Sequence, residues 1–444
     1  MMTRKKALSP MGAASEPHFP RTPLENKILR ILSYVLFGGC FLSMLAIILY
    51  LVYSYASASH AGSKANDWLL GIFSDFVEIM NASLSDSPYL HNGQSYPPVA
   101  ILILLPFSLI CKDVFALYAG QTDLSVSDLT ARVILHGRFW IALLLFFAVC
   151  SVSVLLLLFL KYRPSPSAMP RLGASVLCSA PFVYAIMRGN TIYFALIFLL
   201  AFLVLYEHPS PVAREIAYIC LALSGAIKIY PLFFGVFLLH KKRFLPAARV
   251  ALYSVLIFLF SFGLYEDGIS SFLENLGGFM QDGERLLNLR NLSLTSLLYK
   301  IFHRIAPASV ETAAFSAASL CLLLAIFLIS TSVAIPARSD FSRSLIAASV
   351  ILLIPSISYF YVLTFLVIPL LELLLHYEQL PLKKRRLYTP LLLALFFTPF
   401  IIPQYYIPHT LLILFMWGAE CTWVIRDEVI PSIIQKIKAK ETSL

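Results

Sequence analysis

Charge is scarce in this chain. Of its 444 residues only 13% are Asp, Glu, Lys or Arg, against about 25% in a soluble globular domain. That shortage excludes a row of soluble domains, a disordered chain and a nucleic-acid reader. The seven cysteines fall almost entirely in apolar runs without a Cys-x-x-Cys pair. They read as small buried hydrophobes rather than a disulfide or metal framework. The nine histidines are scattered, with no His-Glu-x-x-His or His-x-x-x-His pair, so no metal site is expected. Neither a P-loop nor a G-x-G-x-x-G, a G-x-S-x-G or an internal repeat is present, so no nucleotide cofactor or hydrolase nucleophile is expected. What fills the chain instead is apolar: 59% hydrophobic residues and a mean hydropathy of +0.81. This is the composition of a membrane protein.

A helix needs roughly 20 apolar residues to cross about 30 Å of hydrocarbon. Candidate spans are 32–54, 97–111, 139–160, 172–187, 191–206, 216–239, 245–265, 311–333, 344–357, 360–377, 388–402 and 409–426. The expectation is therefore an all-α polytopic membrane protein with about 12 spans. Several are short and carry prolines (Pro106, Pro181, Pro369). Such segments are tolerated where protein or a wet cavity satisfies the backbone, which points to a cavity in the bundle. Residues 1–29 read as a disordered tail, 30–430 as the membrane domain and 431–444 as a second tail.

The excess of 34 basic over 24 acidic residues, +10 in all, orients the bundle. Bases cluster before the first span, after 216–239, before 344, after 377 and at the C-terminus. With 12 spans these share one face, the cytoplasm by the positive-inside rule, so both termini are expected there. The loops 55–96 and 265–310 are expected outside. Lys161, Arg163 and Arg171 break the pattern. Either they are a tolerated exception, or the passes between 97 and 206 are not all complete crossings.

Both long loops stand out, because long ordered loops in a compact protein are usually functional. Residues 68–84 carry an amphipathic helical pattern in which Trp68, Ile72, Phe76, Ile79 and Met80 share an apolar face, as in a helix lying at a membrane surface. Asp75 and Glu78, three apart, project side by side from it. A carboxylate held at an apolar interface can have its pKa raised towards the range of a general base; the plainer reading is a solvated loop acid. Lys228, in Ile227-Lys228-Ile229-Tyr230-Pro231, has about ten apolar residues on either side. A charge there costs about 2.5–3.5 kcal/mol or more, which marks a functional candidate with a phosphate as fitting counter-ion. The alternative is a structural ion pair with Glu372 or Glu420. Arg188, at the turn Arg188-Gly189-Asn190, can fork onto a phosphate or snorkel to headgroups. Arg285 and Arg290 in the second loop can meet an anionic headgroup or remain solvated.

In this order the strings Ser74-Asp75-Phe76, Pro88-Tyr89, Tyr96-Pro97-Pro98, Arg188-Gly189-Asn190, Lys228-Ile229-Tyr230-Pro231, Asn291-x-Ser293-Leu294 and Ser356-x-Ser358-Tyr359 resemble glycosyltransferase family 87 over about residues 30–380. This is a GT-C family related to polyprenol-phosphate-mannose-dependent alpha-1,2-mannosyltransferases. The resemblance implies a GT-C bundle with surface helices in the first outer loop. It also implies inverting transfer of a hexose such as mannose from a polyprenyl-phosphate donor, without a metal, to a lipid-linked or cell-envelope glycan acceptor at the outer face of the plasma membrane. Asp75 would be the general base. Substrate would be held by Lys228, Arg188, Glu78, Tyr96, Tyr230, Asn291, Tyr359 and Tyr361. Where the family commonly has R-x-G-Q this chain has Gly189-Asn190. Tyr359-Phe360-Tyr361 replaces a W-x-H-type element, so Tyr359 and Tyr361 would take over by stacking on a sugar. Two other readings follow from the same residues: a transporter or flippase of a lipid-linked or anionic solute with Lys228 in its pathway, and an inactive relative lacking that histidine.

Overall fold

The computed structural model describes residues 23–58, 72–118, 125–310, 313–399 and 406–441. Among them every regular element is helical, as a lipid environment demands of a chain that must satisfy its backbone internally. The chain is a multi-pass membrane protein. Five helices are long and apolar enough to span: Arg30–Leu49, Gly137–Tyr162, Phe244–Phe262, Ala313–Ala334 and Ile407–Ala439. A sixth is the pair Met169–Cys178 and Ala180–Arg188, bent by 54°. At the bend Ser179 is extended, because Pro181 has no N–H to give and crowds the turn before it. Other apolar runs form shorter or broken helical segments, among them Pro98–Ile110, Ile192–Leu205, Tyr230–His240 and Phe360–Leu375.

One expected span, 216–239, is a hairpin, and two others, 344–357 and 360–377, are the limbs of a second. The helix Pro211–Ile227 ends at Lys228, whose backbone is extended (φ −144°, ψ 120°). Pro231 then starts a 3-10 turn, Tyr230–Gly235, leading into Val236–His240. The return limb packs so closely that a Cβ on Gly225 would lie 2.4 Å from Leu232 Cγ. Lys228 is thus the tip of a reversal. Asp340–Leu353 behaves alike: it breaks at Pro355, and the chain returns through Phe360–Leu366 and Val367–Leu375.

One end of the bundle gathers bases. Arg171 Nε donates to Ser33 Oγ at 3.2 Å and its guanidinium lies 4.7 Å from the Tyr34 ring. Lys161 sits 5.7 Å from the Tyr206 ring, and Arg243 Nη1 donates to the Tyr206 carbonyl at 3.0 Å. His240 bonds the Ile335 carbonyl at 2.7 Å and faces Arg343. Lys384 pairs with Glu420 at 2.6 Å, both fully buried. Lys161 and Arg171 therefore share an end with Arg30, Arg243 and Arg343, which resolves the break in the charge pattern. The reason is the 97–111 run, which does not cross as one helix. It is interrupted at Ile103–Leu104 and again at Cys111, and stays near the first long loop through Ser83 Oγ to Ser108 Oγ, 2.6 Å.

Candidate active site

At the opposite end lies the helix Ser74–Ser83. It is shorter than the expected 68–84, with Ile72 in the turn before it, and it is buried nearly all round rather than lying on a surface: Phe76, Val77, Ile79 and Met80 are fully buried, and Phe76 packs on Phe107, Phe139 and Phe146. Trp68 lies outside the described residues. Phe73, left-handed at φ 62°, precedes the helix and donates its N–H to the Met187 carbonyl at 2.6 Å. That bond ties the first long loop to the end of Ala180–Arg188 and sets Asp75 in the first helical turn, where the helix dipole favours a carboxylate.

Asp75 is 5% exposed and fully partnered. Arg188 donates to its Oδ1, and Asn190 Nδ2 to its Oδ2 at 2.7 Å. Asn190 also bonds Tyr96 OH at 3.3 Å, while its Oδ1 accepts from the Ile192 N–H at 3.0 Å. Between the two donors Gly189 takes φ 62° and runs against the Ser74–Ser83 helix. The Arg-Gly-Asn turn is thus a clamp on one carboxylate.

Lys228 arrives from the first hairpin tip with Nζ 4.3 Å from the Tyr96 ring centroid. Among the described residues no carboxylate comes within ion-pair distance of it. Both alternative partners are taken: Glu372 by His376 at 3.1 Å and Glu420 by Lys384. Tyr230 packs edge-on to Phe365. The second hairpin tip brings Tyr359 and Tyr361, and Tyr361 stacks on Tyr184 with centroids 6.1 Å apart. These rings form an aromatic wall beside the charged clamp.

Asn291 reaches the site as a bracket. Its Nδ2 donates to the Ser356 carbonyl at 3.1 Å, and its Oδ1 accepts from the N–H groups of Ser293 and Ser358 at 3.1 and 2.9 Å. It staples the second long loop to the second hairpin tip. Asp267 and Asn275 staple the two loops together. Asp267 accepts from the N–H groups of Tyr89 and Leu90, and Asn275 Nδ2 bonds the carbonyls of Tyr89 and Gln94 at 2.8 and 3.2 Å. Sequence reasoning missed Asp267, Asn275, Gln94 and Tyr184, because no spacing distinguishes them from ordinary loop and core residues. Asn190 was visible only as part of a turn.

Glu78 is half-buried and accepts from Gln94 Nε2 at 3.1 Å. Burial, and then the charge of Asp75, push its carboxyl above the ordinary value. The folded chain therefore holds a proton that the unfolded chain releases, so stability falls as pH rises from the ordinary Glu range through the folded pKa. Glu78→Gln is expected to raise the thermal midpoint at about pH 8 and to leave it unchanged near pH 4. Equal pH profiles for the two proteins would remove the effect.

Among the described residues no group of three His, Cys, Asp or Glu side chains is arranged to hold a metal ion. The site offers one clamped carboxylate, a second carboxyl one turn on, two cations and stacked tyrosines. A sequence model of glycosyltransferase family 87 matches residues 95–358, more than half of the chain. The match takes in Tyr96, the Arg-Gly-Asn turn, Lys228 and Asn291 and begins after the helix that carries Asp75. No curated protein and no solved structure matches.

Proposed function

The chain belongs to glycosyltransferase family 87, and from that membership we propose that this membrane glycosyltransferase moves a hexose such as mannose from a polyprenyl-phosphate donor to a lipid-linked or envelope glycan, with Asp75 as general base. The observation that carries the reading is the convergence of Asp75, Arg188, Asn190 and Lys228 beside stacked tyrosines at the end of the bundle opposite its bases. By the positive-inside rule the basic end faces the cytoplasm, so both termini lie there and the site opens to the outer face of the plasma membrane.

The chemistry divides among these residues. Asp75 takes the proton of the acceptor hydroxyl, whose oxygen attacks the anomeric carbon. The bond from that carbon to the phosphate oxygen breaks, polyprenyl phosphate departs, and the configuration inverts. Lys228 and Arg188 stabilise the charge gathering on the phosphate. As the phosphate enters it competes for Arg188, which loosens the hold on Asp75 when a base is required. Tyr184, Tyr359 and Tyr361 offer flat faces to a sugar ring. The donor brings its energy in the sugar–phosphate bond, so no nucleotide site is needed.

Purified protein in nanodiscs, incubated with radiolabelled polyprenyl-phosphate mannose and an extract of envelope glycolipids, is the direct test. Labelled product supports the reading; no transfer from any polyprenyl-phosphate hexose overturns it. Lys228→Ala is expected to weaken donor binding by about ten- to a hundredfold, the loss of one charged contact. Unchanged donor affinity would return Lys228 to a structural role.

A further inference from the structure

The C-terminal helix is longer than a bilayer needs. Tyr406–Val424 continues through a π-helical turn, Ile425–Val429, into Ile430–Glu441. At 1.5 Å per residue the whole runs to about 54 Å, against about 30 Å of hydrocarbon. The surplus lies at the basic end, where Glu428 accepts from the Arg338 N–H at 2.6 Å.

The surplus is patterned. Ile430, Ile433, Ile434 and Ile437 follow one another at helical spacing, and all are about half exposed, at 46%, 51%, 47% and 53%. From Ile433 to Ala439 every residue is exposed, so the bundle does not cover this stripe. On the helical wheel Lys436 and Lys438 fall on opposite flanks of it, placed to reach upward while the isoleucines point down. An apolar stripe bordered by lysines, continuous with a membrane span, is the pattern of a helix lying in a headgroup layer.

We infer that Ile430–Glu441 is a membrane-surface helix: it lies on the leaflet at the basic end, its isoleucines entering the acyl boundary and its lysines engaging anionic phospholipid headgroups. In the structure Ile407–Ala439 runs on as one helix, and the π-helical turn within it is where the leaflet surface would turn the segment aside, since its hydrogen bonds change register there. A second copy of the chain is the rival occupant. The lysine borders and the continuity with the span favour lipid.

Hydrogen–deuterium exchange on the full-length protein in nanodiscs separates the outcomes. A 12-residue helix free in water frays, so peptides covering 430–441 exchange quickly unless the helix is docked. With phosphatidylglycerol in the discs, exchange is expected to be slower by about tenfold or more than for the Ile433→Asp/Ile437→Asp variant. Lys436→Glu/Lys438→Glu, or discs of phosphatidylcholine alone, are expected to recover much of the fast exchange. Equal rates in the wild type and the isoleucine variant overturn the inference. Rates indifferent both to lipid charge and to the lysine variant overturn the anionic-lipid assignment. Protection that appears only in discs holding two copies assigns the stripe to a dimer instead.

Discussion

Asp75→Asn is expected to lower sugar transfer by about 100- to 10,000-fold, the contribution of a positioned general base. The substitution keeps the shape of the side chain and an oxygen for Arg188 to meet, but it sets an NH2 group against the Asn190 Nδ2 donor, so the Arg188 half of the clamp persists while the Asn190 bond and the proton acceptor are lost. Arg188 keeps contact with water, its side chain 28% exposed, so its unneutralised charge does not unfold the site. Initial rates with a radiolabelled polyprenyl-phosphate sugar measure the effect. The thermal midpoint and size-exclusion profile in the same nanodiscs show that the fold is kept. Full activity in the asparagine variant would remove Asp75 from the role of base.

Gly189→Ala is expected to be the most damaging methyl at any glycine among the described residues. A Cβ there would lie 2.2 Å from Phe76 Cβ and 3.2 Å from its Cα, so part of what must give is backbone. The left-handed φ of 62° adds about 1–2 kcal/mol for alanine, and forced overpacking costs typically about 1–3 kcal/mol more. The Ser74–Ser83 helix is pushed away from the turn that clamps Asp75, so stability and transfer fall together. Gly189→Asn separates the two causes. Asparagine tolerates the left-handed region but carries the same Cβ, so it is expected to recover at most the conformational part of the loss and to stay well below the wild type in midpoint and rate. A variant with the wild-type midpoint and rate would sink the close-approach argument.

Much of the candidate site could be read from misplaced charge. Lys228 stands in an apolar run and is costly enough to be noticed without a fold; Asp75 and Glu78 stood out by their place on an amphipathic stretch of a long loop, where a solvated acid was the plainer reading. The position of Arg188 could not be read the same way. Counting every apolar run as a crossing puts Arg188 at the far face from Asp75, whereas the two side chains meet in an ion pair. Hydropathy reports how apolar a run is. Whether it crosses depends on its continuity, and on what satisfies the backbone where proline or a bend breaks it. The runs 97–111 and 216–239 fail that test, one by breaking and one by doubling back. Asn291 stood out by its motif, but its work as a bracket became visible only beside Ser356 and Ser358.

Composition and local periodicity by themselves determined that this chain lives in a membrane, that it is helical, and that its first long loop carries an acid on a half-apolar helix. These follow from short-range physics: the cost of apolar groups in water and of bare peptide groups in lipid acts on every segment separately. Only the tertiary structure decided which bases share an end, which spans are hairpins, and that residues 75, 96, 190 and 228 meet. Those outcomes rest on a carboxylate and its donors more than a hundred residues apart, and on backbone reversals whose direction is set by the neighbours they pack against.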